Sequence, residues 1–186
     1  MARRQTLIDA FLQLAGPLGP MGSLGERERA RERLHKQLAE EDGAILVGLL
    51  YHPLDEDTCA PARAEHVQQE VVDALVALAH RAPEEWLERT KGLLEQRGPN
   101  EGMIELLGSL GLPGGERVLT RLVQTSALDE RELIALACSL GEIGGPESRE
   151  TLEQMRDLVR DRDSDLAREI DAAVAAIEDS KPRRIP

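Results

Sequence analysis

At 186 residues the chain is long enough for one domain, which would bury about 70% of the surface its unfolded form exposes, and no second domain is required. Leu and Ala dominate, a single Trp, Tyr and Phe make up the whole aromatic complement, and β-branched residues are sparse, a composition that favours helix over sheet. The 35 acidic against 23 basic residues leave a net charge of -12, which repels a phosphate backbone and argues against a general nucleic-acid binder.

Arg3 and Arg4 open the chain, but the apolar segment after them is short and carries Asp9 and Gln13. Neither a secretory signal nor a membrane span is expected, and the protein is read as cytoplasmic. Leu7, Ile8, Phe11, Leu12 and Ala15 fall at helical spacing and predict a short amphipathic helix over residues 3–15. The following GPLGPMGSLG predicts an irregular linker, which would let that helix reposition. Residues 25–41 are strongly charged, with Leu34 and Leu38 for burial, and suit a helix that caps one end of a stack.

From Ala44 to Tyr51 the run AILVGLLY fits a buried strand or a helix; with no other strand candidate in the chain, helix is the reading. A loop with Pro53, Asp55, Glu56, Asp57 and Pro61 follows. Val67, Val71, Val72, Leu75 and Leu78 then predict a helix ending near Arg81, and Pro83 opens its partner with Trp86, Leu87, Leu93 and Leu94. Gly98-Pro99-Asn100 closes that hairpin. The next runs out along Met103, Ile104, Leu106, Leu107 and Leu110, turns through Gly111 to Gly115 and returns along Val118, Leu119, Leu122 and Val123.

The clearest unit spans Leu133 to Met155. Leu133, Ile134, Leu136, Ala137, Leu140 and Ile143 form one apolar stripe on a helix that Asp129 caps. Gly144 and Gly145 offer the positive φ that ends a helix, Pro146 suits the first turn of the next, and Leu152, Met155, Leu158 and Val159 give that helix its own stripe. A last helix is predicted from Ser164 to Ile177, followed by the basic, proline-flanked tail from Lys181 to Pro186.

Ile104, Leu106, Ser109, Leu110 and Gly111 recur as Ile134, Leu136, Ser139, Leu140 and Gly141, thirty positions later. Val71 to Leu78 precedes the first set by about 33, and hairpins of roughly 30–35 residues joined by Gly/Pro corners predict an all-α fold, an α-solenoid of about four helical hairpins plus a terminal helix. The expected organisation is an N-terminal amphipathic helix and Gly/Pro linker over residues 1–24, a helical repeat domain over 25–179 and a basic tail over 180–186.

LACSLGEIGGPESRETLEQM, Leu136 to Met155, resembles the HEAT-repeat (armadillo-like) family, in particular the short bacterial repeats of the kind found in phycobilin lyases. DRDSDLAREIDAAVAAI, Asp161 to Ile177, resembles the opening of a following repeat, with Arg168 in the place of the family's buried or ladder-forming arginine. Ile134 stands where the family often has Arg. The resemblance implies binding, because such stacks generally serve as scaffolds, inhibitors or adaptors through the concave face made by the second helix of each pair. It also raises three activities found among members: chromophore attachment by bilin lyases, iron-dependent hydroxylation through His-Glu pairs, and DNA glycosylase activity in a basic groove.

His35, His52, His66 and His80 are followed by Lys36, Pro53, Val67 and Arg81, so no His-Glu dipeptide exists for the hydroxylase chemistry. His52, Cys59 and His66 match no ligand spacing that fixes a metal geometry. Cys59 and Cys138 read as two reduced thiols. Asp161, Asp163 and Asp165 imitate the start of a calcium loop, but Leu166 and Ala172 hold the places of its Gly and Glu, so these acids read as caps of a helix N-terminus. The glycines at 108, 111, 114 and 115 follow a helix and lack a Gly-Lys-Ser/Thr sequence, so they read as helix ends rather than a phosphate loop. No catalytic residue, cofactor or metal is expected.

The polar sides of the second helices remain. Arg89, Arg117, Arg121, Arg149 and Arg156, interleaved with Glu85, Glu88, Glu116, Glu150 and Glu153, line one surface if the stack is as drawn, and Trp86 begins it. Arg and Trp are favoured interface anchors, so Trp86, Arg89, Arg117, Arg121, Arg149, Glu153 and Arg156 are the partner-binding candidates; a plain solvated face, with Trp86 in the core, is the competing reading. The expectation is a non-enzymatic protein–protein interaction module, a scaffold, adaptor or regulatory subunit, whose acidic surface favours a protein partner with a basic patch. Neither nucleic acid nor membrane is expected as a partner, and a small molecule is left open. An enzyme or enzyme subunit resembling a bilin lyase is the alternative, and a nucleic-acid binder with a local arginine groove ranks below it.

Overall fold

The computed structural model describes residues 2–16, 24–54, 60–159 and 164–179. Among them are ten helices and no strand, an all-α chain, and no helix is long and apolar enough to cross a membrane. The linker at 17–23, Cys59, Asp161, Asp163 and the C-terminal tail lie outside the described residues. The chain divides into two compact units, Met1–Arg81 and Ala82–Pro186.

The first unit holds α1 (Ala2–Leu14), α2 (Leu24–Gln37), α3 (Asp42–Tyr51) and α4 (Pro61–Ala79). The AILVGLLY run is helical, as expected, and buries Leu46, Val47, Leu49 and Leu50 in α3. The N-terminal helix is not left free to reposition. Leu7, Ile8, Phe11 and Leu14 are buried, α1 packs against α4, and such side chains each stabilise by about 1.5–3 kcal/mol. Arg3 adds a bidentate clamp, donating from Nε to Asp42 Oδ1 at 2.8 Å and from Nη2 to Oδ2 at 2.5 Å.

Polar contacts hold α2, none of whose own residues is buried. Arg31 donates to both oxygens of the buried Glu70 on α4, at 2.8 and 2.5 Å. Arg81 donates to the carbonyls of Leu38 and His35, at 2.7 and 2.6 Å, so a cation satisfies the oxygens at the C-terminal end of α2. Arg63 does the same for Leu12 near the end of α1.

The second unit holds α5 (Pro83–Arg97), α6 (Glu101–Leu110), α7 (Pro113–Thr125), α8 (Glu130–Ile143), α9 (Pro146–Leu158) and α10 (Asp165–Asp179). Prolines open α5, α7 and α9. Asn100 caps α6 by accepting the Met103 N–H, and Asp129 and Glu132 form a reciprocal capping box at the start of α8. Helices α6, α8 and α10 pack side by side, while α7 and α9 pack on them and on each other. Close approach of the first three requires missing side chains. A Cβ on Gly108 would sit 2.6 Å from that of Ser139, and one on Gly141 would sit 2.8 Å from that of Ala173.

The internal repeat is set at 33 residues, within the expected range of roughly 30–35, and the thirty-residue match of Ile104 with Ile134 is not its register. Gly111 (φ 62°) and Gly144 (φ 69°) are the equivalent left-handed C-caps, Pro113 and Pro146 both open helices, and Leu119 and Leu122 match Leu152 and Met155 in the core. The register extends into α10, where Ile104, Ala137 and Ile170 are all fully buried. A shift of three residues is nearly one helical turn, so apolar stripes superpose at both spacings and only the caps distinguish them. Gly145 accordingly has φ −76° and is the N-cap of α9, and Gly108 and Gly141 lie within helices rather than at their ends.

The count of about four hairpins is not matched. The equivalent hairpins are α6 with α7 and α8 with α9; α3 pairs with α4, and the boundary between the units divides α4 from α5. Leu158, expected in the stripe of α9, is its last residue and is 78% exposed. At α10 the cap is Ser164, whose Oγ accepts the Ala167 N–H at 3.2 Å, and Asp165 pairs with Arg168 one turn on. Arg168 is therefore an exposed helix-surface residue and, among the described residues, forms no ladder.

Candidate functional site

Where α7 meets α9, Thr120 and Thr151 share a hydrogen bond of 3.1 Å, and the two helices are in close contact. Helices α5 and α7 pack much less closely and leave an open groove of about 600 Å³ between them. Leu87 of α5 lies over Gly114 of α7, where a Cβ would come within 2.5 Å of Leu87 Cδ2. Leu87, Leu94, Val118 and Leu122 give the groove an apolar floor, and Gly98 and Ser126, the C-caps of the two helices, complete its lining at their C-terminal ends.

Its two walls differ in charge. The α5 wall carries Glu88, Lys91 and Glu95, with Lys91 Nζ 3.5 Å from Glu88. The α7 wall carries Arg117 and Arg121, one turn apart and exposed. Neither guanidinium has an ion-pair or hydrogen-bonding partner among the described residues; the Arg121 carbonyl accepts from the Thr125 hydroxyl at 2.8 Å. In a chain with a net charge of -12, two free cations thus stand beside apolar surface.

The other candidates are engaged elsewhere. Trp86 is 3% exposed and belongs to the core, which removes it as a surface anchor; the guanidinium of Arg89 covers its ring at 4.5 Å from the centroid. Arg149 pairs with Glu153 at 2.8 Å on its own helix and with Glu178 of α10 at 2.9 Å. Arg156 pairs with Asp171 of α10 at 2.9 Å. The structure thus brings Arg117 and Arg121 together in the groove and ties Arg149, Glu153 and Arg156 to the α9–α10 seam. Glu116, expected among the surface acids, is buried and caps α9.

The chain matches no family model, no curated protein and no solved structure.

Sequence reasoning missed the α5 wall and its floor, Leu87, Lys91, Leu94 and Glu95. One signal was present: Gly114-Gly115 directly after the helix-opening Pro113 is a poor helix former, and such glycines mark close approach of a neighbour. Among the described residues, no group of three or more His, Cys, Asp or Glu is arranged to hold a metal ion. Cys138 contacts Glu169 at 3.5 Å, and burial, with Glu169 next, pushes its thiol up to about 11. That is opposite to what an activated nucleophile needs.

Proposed function

We propose that this protein is a non-enzymatic interaction module, a scaffold, adaptor or regulatory subunit, built on a short HEAT-like solenoid whose second helices α5, α7 and α9 present the binding face. The observation that carries the reading is the α5–α7 groove, with its apolar floor and the unpaired Arg117 and Arg121 on one wall. Apolar surface rimmed by arginine is the composition of interface centres, and guanidinium groups offer geometrically specific, bidentate contacts. The side-by-side packing of α6, α8 and α10, with α7 and α9 on them in a 33-residue register, supports the solenoid reading.

The acidic surface as a whole favours encounter with a partner bearing a basic patch, while the groove selects what is held. The test is affinity purification of the tagged protein from its own cells at physiological and at high salt, with mass spectrometry of what co-elutes. One stoichiometric, salt-sensitive partner is expected. Repeated recovery of the protein alone would reject the reading.

A further inference from the structure

We infer that the α5–α7 groove receives a partner segment of defined chemistry: an amphipathic helix of about three turns with carboxylates along the flank that faces α7. This rests on the interaction-module reading and specifies its ligand. The lining of α7 runs from Gly114 to Ser126, which at 1.5 Å per residue is about 18 Å, the length of a twelve-residue helix. Leu87, Leu94, Val118 and Leu122 supply the apolar floor such a helix would cover, in the manner of other helix-in-groove complexes.

Charge decides which helix fits. Arg117 and Arg121 are four residues apart and unpaired among the described residues, so they match acids three or four apart on a helix laid alongside α7. The opposite wall has Lys91 already beside Glu88, together with the exposed Glu95, and so repels acids on the other flank of the ligand. An acid-flanked helix therefore seats in one rotational setting. A basic helix would place cations beside two exposed guanidinium groups, which costs binding.

The experiment is selection of a display library of random sixteen-residue peptides on the full chain, with enriched sequences remade as fluorescent peptides. Enriched peptides are expected to combine apolar residues at i, i+3 and i+4 with paired acids on one flank. Their affinity should fall at least about tenfold on the double variant R117E/R121E, whose positions are exposed and tolerate charge, and on Val118→Trp, which fills the groove. Thermal melting confirms that each variant is folded. Enrichment of non-acidic peptides, no enrichment, or binding indifferent to both variants would overturn the inference. Capture of a stoichiometric partner in cells by R117E/R121E as well as by the unaltered chain would remove the groove while leaving the module reading intact.

Discussion

Glu116 of α7 caps the neighbouring second helix: its Oε1 accepts the Ser148 N–H at the start of α9, 2.7 Å away, from a buried position. The arrangement needs Gly145, where a Cβ would meet the same carboxylate oxygen at 2.2 Å. A side chain from one hairpin thus supplies the cap that the next hairpin's glycine cannot, and locks the two in register.

Glu116→Ala should lower stability by about 1–2 kcal/mol, the cost of a lost cap. Gly145→Ala should be destabilising in the native background and far less so combined with Glu116→Ala, because the clash disappears with the carboxylate. Urea denaturation of the four proteins measures this coupling. Strict additivity would show that the contact does not organise α9.

Gly141→Ala provides a second test of the packing. Alanine is the better helix former by about 1 kcal/mol, yet its methyl would press on Ala173, so destabilisation is expected. Gly92 lies in α5 with nothing within 4 Å of its would-be Cβ, so Gly92→Ala should stabilise by about 0.5–1 kcal/mol. Opposite signs in the two denaturation midpoints are the predicted result.

Asp42 makes the first unit pH-sensitive. The Arg3 hydrogen bonds hold its carboxyl below the usual value of 3.8, with a further contribution from the Ala39 N–H. Between the folded and unfolded values the unfolded chain binds more protons, so this contribution is present above pH 3.8 and is lost as pH falls through the lower folded value. Arg3→Gln should therefore destabilise at neutral pH, and the gap from the unaltered chain should narrow toward acid pH. A gap that stays constant with pH would contradict the clamp.

Cys138 should alkylate slowly. With its thiol at about 11 rather than 9.0, the thiolate fraction at pH 8 is on the order of a hundredfold below that of an ordinary cysteine. In a Cys59→Ser background the iodoacetamide rate should keep rising through pH 10, and Glu169→Gln should raise the rate at pH 8. A plateau below pH 9 would contradict this environment.

Much of the second unit is legible in the sequence. Asp129, Gly144 and Pro146 announce the start of α8, its end and the opening of α9, because caps and turns are local chemistry. The apolar run at Ala44–Tyr51 is read as helix for lack of any strand to pair with it, and α3 is helical. The thirty-residue match of Ile104 with Ile134 is out of register because Leu and small residues recur with the helical turn, and the positive φ of Gly111 and Gly144 fixes 33 within the expected range of roughly 30–35. Four hairpins are overcounted because the pairing of α3 with α4 depends on contacts that periodicity does not encode. The groove is half visible: Arg117 and Arg121 stand out by spacing, but that they are free while Arg149 and Arg156 are paired depends on where α10 places Glu178 and Asp171.

The placement of the binding site between α5 and α7 is tested most directly by the amount of partner that co-purifies with R117E/R121E and with the unaltered chain, expressed at equal levels in the protein's own cells. One stoichiometric partner is expected on the unaltered chain and loss of at least about nine-tenths of it on the variant, the effect of reversing charge at an interface centre. Equal recovery on both would contradict the placement of the binding site between α5 and α7.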